Sequence, residues 1–265
     1  MKKALVILLA AMMLLSVAAC GGAVGKLKSI QDAKKIVIYT DPNFSPFEFV
    51  GADEAIVGVD MEIAKAIAAK LGVTVEIKEA AFDSILTAIK GGKGDIALSG
   101  FTITEDRLES VDFSTPYIES VQYLILPESD DTVIYMEDLA GLNVGVAQGY
   151  SGQLWIGDEL DEGGALYETG TVVKDYNSAI DATLDLKAGR INVVVMDEYV
   201  AKNIVDKNSG LKTIPLQYED GTLASEEYGV MVSKGNEDLL KIINEVVAQL
   251  NADGKIKEWV VSFSE

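Results

Sequence analysis

The sequence predicts an α/β protein of two lobes. Three observations carry this. Strand-like runs alternate with amphipathic helical segments over residues 36–98, and the same alternation recurs over residues 143–196. Two further β-rich stretches, residues 117–126 and 228–233, stand where a chain would leave one unit and return to it. Strands alternating with helices imply largely parallel sheets with right-handed crossovers.

Ile36-Val37-Ile38-Tyr39-Thr40 is a β-branched and aromatic run stopped by Asp41-Pro42-Asn43, hence a buried strand ending in a turn, with loop chemistry through Pro46. Asp60 stands as an N-cap before Ile63, Ala64, Ile67 and Leu71 at helical spacing, and Gly72 ends that helix. Residues 73–78 return to strand composition, 82–90 form a helix closed by Gly91-Gly92, and 95–98 form a third strand. The second unit follows the same order: strand 143–147, helix 151–160, strand 169–173, helix 179–188 and strand 192–196. Residues 238–250 and 254–260 carry Leu239, Leu240, Ile243, Val246, Val247 and Leu250 at helical spacing, which marks core-facing helices. The halves share no convincing residue-level repeat.

The chain begins with Met1-Lys2-Lys3, an apolar run too short to cross a bilayer, and Ser16-Val17-Ala18-Ala19-Cys20. A charged start, an apolar centre and a small-residue cleavage site make a secretory signal over residues 1–19. Val17-Ala18-Ala19-Cys20 resembles a lipobox, so Cys20 is the expected lipidation site and residues 20–34 a tether. A plain signal peptide with Cys20 as a stray thiol is the alternative.

Removing residues 1–19 takes away two lysines and no acid, leaving 20 basic against 42 acidic side chains, a formal charge of −22. Such a charge repels nucleic acid and anionic lipid. The chain has no histidine. With its one thiol assigned to lipid, Ser-His-Asp and Cys-His nucleophile systems and imidazole metal sites are excluded. Carboxylate acid-base chemistry stays open in principle.

Parallel α/β sheets bind ligands beyond the carboxyl ends of their strands. Four such places stand out: residues 40–49, residues 99–107, Gln148-Gly149-Tyr150-Ser151, and Asp197. Across nearly all of residues 35–262 the chain resembles the bacterial extracellular solute-binding proteins for polar amino acids, the capture subunits of ABC importers. The resemblance rests on Thr40-Asp41-Pro42 with Pro46-Phe47-Glu48, Gly58-Val59-Asp60, Gly100-Phe101-Thr102-Ile103-Thr104 with Arg107, Val111-Asp112-Phe113-Ser114 with Pro116-Tyr117, Val144-Gly145-Val146 with Gly149, and Ala252-Asp253-Gly254. It implies a periplasmic-binding-protein-like fold of class II type, with two hinge strands. Lobe one would then be residues 35–121 with 222–265, and lobe two 122–221.

By the same resemblance, Arg107 takes the ligand's α-carboxylate, for which a guanidinium fork is well matched. Gly100 and Thr102 complete the carboxylate and amino contacts. Asp197 pairs with the α-ammonium across the cleft, although it also suits a helix N-cap. Phe44 and Phe82 sandwich the ligand side chain, with a core role as the alternative. Asp41 and Ser99 reach the polar end of that side chain, or Asp41 satisfies turn amides before Pro42. Gln148 and Ser151 contribute from lobe two. Two rings and a carboxylate suit a cation.

The chain departs from the family pattern at Tyr150, where a small hydroxyl residue is common. It also has Met196 where one glutamine-binding branch has histidine, and lacks a basic residue near Ala147. The expectation is therefore a lipid-anchored, monomeric receptor on the outer face of the cell membrane. It would bind a polar amino acid, arginine, lysine or histidine before glutamine, and deliver it to an ABC permease without cofactor, metal or catalysis. A carboxylate-based dehydratase and a ligand-sensing domain are the other classes weighed.

Overall fold

The computed structural model describes residues 25–264. Residues 1–19, expected to be a leader, and Cys20, the expected lipidation site, lie outside the described residues. The first described element is a helix, α1 (Lys26–Ala33), where the sequence suggested tether. Its Ile30 is 1% exposed and belongs to the main core. Burial of one such side chain is worth about 2 kcal/mol, enough to hold a short Lys-rich helix that composition alone does not. Lys26 pairs with Asp95 at 3.2 Å and fastens the same helix to the next elements.

Strand β1 (Lys35–Thr40) follows, then three short strands, β2 (Asn43–Phe44), β3 (Glu48–Val50) and β4 (Ile56–Val57), which form a small sheet of their own where loop was expected. Helix α2 (Val59–Leu71) buries Ile63, Ala64 and Ile67 and ends at Gly72 in the left-handed region. Its N-cap is Gly58, at φ +127°, not Asp60. Asp60 lies in the first turn and points inward, because two donors of the core claim its carboxylate. After β5 (Thr74–Glu79), α3 (Phe82–Lys90) and β6 (Ile96–Ala97) come α4 (Glu105–Ser110) and β7 (Val111–Phe113).

The long strand β8 (Ile118–Pro127) crosses to lobe two, built from β9 (Asn143–Ala147), α5 (Ser151–Leu160), β10 (Val172–Tyr176), α6 (Ala179–Lys187), β11 (Val193–Asp197), α7 (Glu198–Asp206) and β12 (Leu211–Pro215). The chain returns through β13 (Ser225–Tyr228) and closes lobe one with β14 (Met231–Ser233), α8 (Glu237–Ala252) and α9 (Lys255–Ser264). The one strand expected over residues 228–233 is therefore two. The strand expected at 169–173 lies three residues later.

Lobe one carries the sheet order β5-β1-β6-β14-β7 and lobe two β10-β9-β11-β8-β12. In each, the first three strands are parallel and the last two pair antiparallel. The sheets are thus mixed, and the reason is topological: β8 and β14, the strands entering each lobe from a crossing, run opposite to the βαβ units they join. The two lobes share this pattern without sharing sequence. One apolar core fills lobe one and continues through Phe82 and Tyr150 onto one face of the lobe-two sheet. A second core, including Leu124, Val144, Ile156 and Val195, covers the other face. No helix among the described residues is long and apolar enough to cross a membrane.

Candidate functional site

The carboxyl ends of β1, β6, β9 and β11 and the middle of the two crossing strands bring polar side chains together between the lobes. Arg107 is held by its helix: Thr104 caps α4, its hydroxyl accepting the Arg107 backbone N–H at 3.3 Å. The guanidinium is 6% exposed and is the one buried cation among the described residues. Its Nη1 donates to the Thr102 carbonyl at 2.7 Å and Nη2 to the Gly149 carbonyl of lobe two at 2.9 Å. It also lies 5.5 Å from the Phe82 ring centre and 5.4 Å from that of Phe101. Burial lowers its pKa to about 10, against the raising charges of Glu226 and Asp197, so it stays cationic at neutral pH.

Asp197 ends β11 and is 1% exposed. It occupies the N-cap position of α7 but its carboxylate makes no capping bond there. It accepts instead from Gln122 Nε2, from Tyr228 Oη at 2.8 Å and from Ser151 Oγ at 3.4 Å. Glu226, on β13, accepts from Thr102 Oγ1 and from Gln122 Nε2, both at 2.7 Å. Burial first, and next the Glu226 charge, push the Asp197 carboxyl well above its ordinary range. Asp41, Glu48, Asp60, Asp197 and Glu226 are the buried carboxylates set against the single Arg107. The centre is strongly acidic and suits a cationic group.

Beneath this centre lies a second layer. Ser99 Oγ accepts the Asp41 N–H at 3.0 Å and donates to Glu48 at 2.7 Å. Asp41 accepts the Phe82 N–H at 3.2 Å, at the start of α3, and the Asn43 side chain at 2.6 Å. The Gly100 N–H donates to Asp60 at 2.9 Å and Tyr117 Oη donates to the same oxygen at 3.1 Å. Glu48 Oε2 and Asp60 Oδ1 have no hydrogen-bond partner, and burial raises both carboxyls, Asp60 to about 6. The Asp60 charge is the second cause acting on Glu48, so the two carboxyls disfavour each other's ionisation.

Nine of the ten expected ligand contacts, Asp41, Phe44, Phe82, Ser99, Gly100, Thr102, Arg107, Ser151 and Asp197, meet in this region. Gln148 does not: its side chain is exposed and its N–H pairs with Tyr176. The expected ring sandwich holds Tyr150, which stacks on Phe82 and packs against Phe44. Gln122, Glu226 and Tyr228, on the crossing strands, escaped the sequence reading. Gln122 shares the buried face of β8 with Ser120, Leu124 and Leu126, and Glu226 that of β13 with Tyr228, but no apolar alternation in the sequence marks either. A cavity of about 300 Å³ opens beside the site and is lined in part by Thr102, Ser151, Trp155 and Glu226.

A two-lobed α/β scaffold with an arginine on one lobe and a carboxylate on the other, joined by two crossing strands, defines a capture protein for small solutes. Residues 36–263 match the bacterial extracellular solute-binding proteins, family 3, and the chain belongs to that family. It is 29% identical over 234 residues to the L-cystine-binding protein TcyJ of Escherichia coli, covering 88% of this chain and 84% of that protein. It is 30% identical over 263 residues to the arginine-binding extracellular protein ArtP of Bacillus subtilis, covering 98% of each. The crystal structure of AbpA from Streptococcus pneumoniae, an amino acid ABC transporter substrate-binding protein bound to L-arginine, superposes with a TM-score of 0.81 at 30% identity. It covers 89% of this chain and 97% of that one.

Proposed function

We propose that this chain captures a polar amino acid between its lobes, a basic one such as arginine first among them, and delivers it to the permease of an ABC importer. The observation that carries the reading is the separation of charge: Arg107 on lobe one faces the Asp197 and Glu226 pair, so a zwitterion has a partner for each end. Arg107 takes the α-carboxylate with the help of Thr102, while the Gly100 N–H stays committed to Asp60. Asp197, Glu226 and Ser151 take the α-ammonium. Asp41 and Ser99 lie at the side-chain end. Each charge-assisted bond contributes about 1.5–3 kcal/mol, so three of them approach the roughly 8 kcal/mol of micromolar binding. That ArtP is an arginine-binding protein and that AbpA is bound to L-arginine support the basic preference. No catalytic step is needed.

In this reading residues 35–121 with 222–265 move as one lobe and 122–221 as the other, and the protein works as a monomer. Titration calorimetry of the mature chain against arginine, lysine, histidine and glutamine is the direct test. Arg107→Lys keeps the charge but loses the fork. It should weaken arginine binding about a hundredfold, and an unchanged affinity would remove Arg107 from the site.

The exported chain is held at the membrane by lipid on Cys20, after removal of residues 1–19. The support is the residue pattern around Cys20 together with membership of an extracellular family. Cys20→Ser should move the protein from the membrane fraction to the soluble one and leave ligand affinity intact. Retention of Cys20→Ser on the membrane would exclude the lipid anchor.

A further inference from the structure

The aromatic slot of the site already holds a group supplied by the chain. Tyr150 lies at the start of α5, just after Gly149, whose φ of +80° turns the loop sharply. The Tyr150 ring stacks on Phe82 at a centroid separation of 4.0 Å and an interplanar angle of 26°. It meets Phe44 at 5.7 Å and 44°. On Phe82 a second ring, Phe101, is stacked at 4.4 Å and 19°. Two rings stacked this close cannot share one face of Phe82, so both of its faces are covered. Tyr150 is only 4% exposed. Burial first, and then the charges of Asp41, Glu48 and Asp197, raise its hydroxyl pKa, and of these acids Asp41 is the one expected at the side-chain end.

Phe44 and Phe82 both belong to lobe one, whereas Tyr150 comes from lobe two. On the amino-acid reading, the phenol fills, from across the interface, the space assigned to a long ligand side chain. We propose that Tyr150 is a built-in competitor for the aromatic slot and thereby selects ligands by side-chain length. A long cationic side chain enters only by displacing the phenol. A short one binds through its α-ammonium and α-carboxylate with the phenol in place. This rests on the amino-acid reading of the Arg107 and Asp197 site. Two aromatic contacts are at stake, which together amount to about tenfold in affinity.

The test is calorimetry of the wild-type chain, Tyr150→Ser and Tyr150→Phe against arginine and against serine as a short probe. Tyr150→Ser should tighten arginine about tenfold and leave the serine result unchanged, while Tyr150→Phe, which keeps the ring, should match the wild type. Equal or weaker arginine binding by Tyr150→Ser overturns the proposal, as does equal tightening for serine. A second measurement needs only the wild type and Tyr150→Phe, the latter to assign the signal. With ring-labelled tyrosine, saturating arginine must move the Tyr150 resonance out of its ring-shielded position. Arginine binding with an unmoved resonance overturns the proposal but leaves the amino-acid reading intact. If none of the chains binds any amino acid, the underlying reading falls and this inference with it.

Discussion

Asp197 and Glu226 accept hydrogen bonds from the same nitrogen, Nε2 of Gln122, although one ends a lobe-two strand and the other lies on the returning crossing. Ser151 Oγ is a third acceptor around that atom, at 3.2 Å. A carboxamide nitrogen has two hydrogens and no charge. Three acceptors, two of them carboxylates, exceed what it can satisfy, while Gln122 Oε1 itself finds no partner. An ammonium brings three hydrogens and a positive charge. The cluster is better matched to that group than to the amide it now holds.

Binding should therefore depend on pH with a definite sign. Burial, with the Glu226 charge second, raises the Asp197 pKa, so the protonated form persists above the ordinary aspartate range. An ammonium favours the ionised carboxylate. Binding then expels a proton, and affinity falls as pH falls. Calorimetry in two buffers of different ionisation enthalpy should show proton release, reduced in Glu226→Gln. Glu226→Gln should also weaken binding about tenfold. Proton uptake on binding would contradict this account of the pair.

The buried Glu48 and Asp60 pair makes a separate prediction about stability. Burial is the leading cause of both raised values, and Asp60 moves from 3.8 to about 6. A folded-state pKa above the unfolded one means that the native state binds more protons in that window. The pair's contribution is complete below about pH 4 and is lost as pH rises through 6. Exposed carboxylates of the opposite kind, such as Glu76, held down to about 2 by Lys35 and Lys78, lose their contribution only under stronger acid. The melting temperature should thus rise from pH 7.5 to about pH 5, and the rise should be shallower in Glu48→Gln. A wild-type curve that climbs steadily from pH 5 to 8 would rule this out.

Gly100 offers a purely steric test. Its φ is +56°, and a Cβ there would strike the Phe44 ring. The left-handed backbone costs about 1–2 kcal/mol for a residue with a side chain, and overpacking adds about 1–3 kcal/mol. Gly100→Ala should lose about 2–4 kcal/mol in chemical denaturation. A loss under 0.5 kcal/mol would show that Phe44 moves freely, which its burial argues against.

Locally encoded features were the ones legible in the sequence. Helix 82–90 matched its observed bounds because an apolar stripe and the Gly91-Gly92 stop are short-range signals, and the bounds of helix 151–160 matched as well. Asp60 misled for a tertiary reason: its inviting cap position was overridden by buried donors contributed by Gly100 and Tyr117. The strand near residue 170 began late because Gly170 sits at φ +83°, outside the extended region. At the site, Arg107 in the first turn of α4 and Asp197 at the end of β11 were accessible to motif reasoning. Gln122 and Glu226 were not, since a polar residue within a strand resembles a solvent-facing one until the partner strand is known.

The two crossings are not separate threads. Residues 225–228 of β13 run antiparallel to residues 118–121 of β8 in continuous register. Independent linkers could twist separately, whereas a zipped ribbon behaves as a leaf spring with one soft direction of bending. Glu226 lies on that spring and Gln122 one residue beyond the zipped stretch of β8. In the proposed binding mode an ammonium there would sit at the pivot, where bending of the ribbon displaces it least. The Arg107 Nη2 to Gly149 carbonyl bond runs from lobe to lobe, so any separation of the lobes would have to break it.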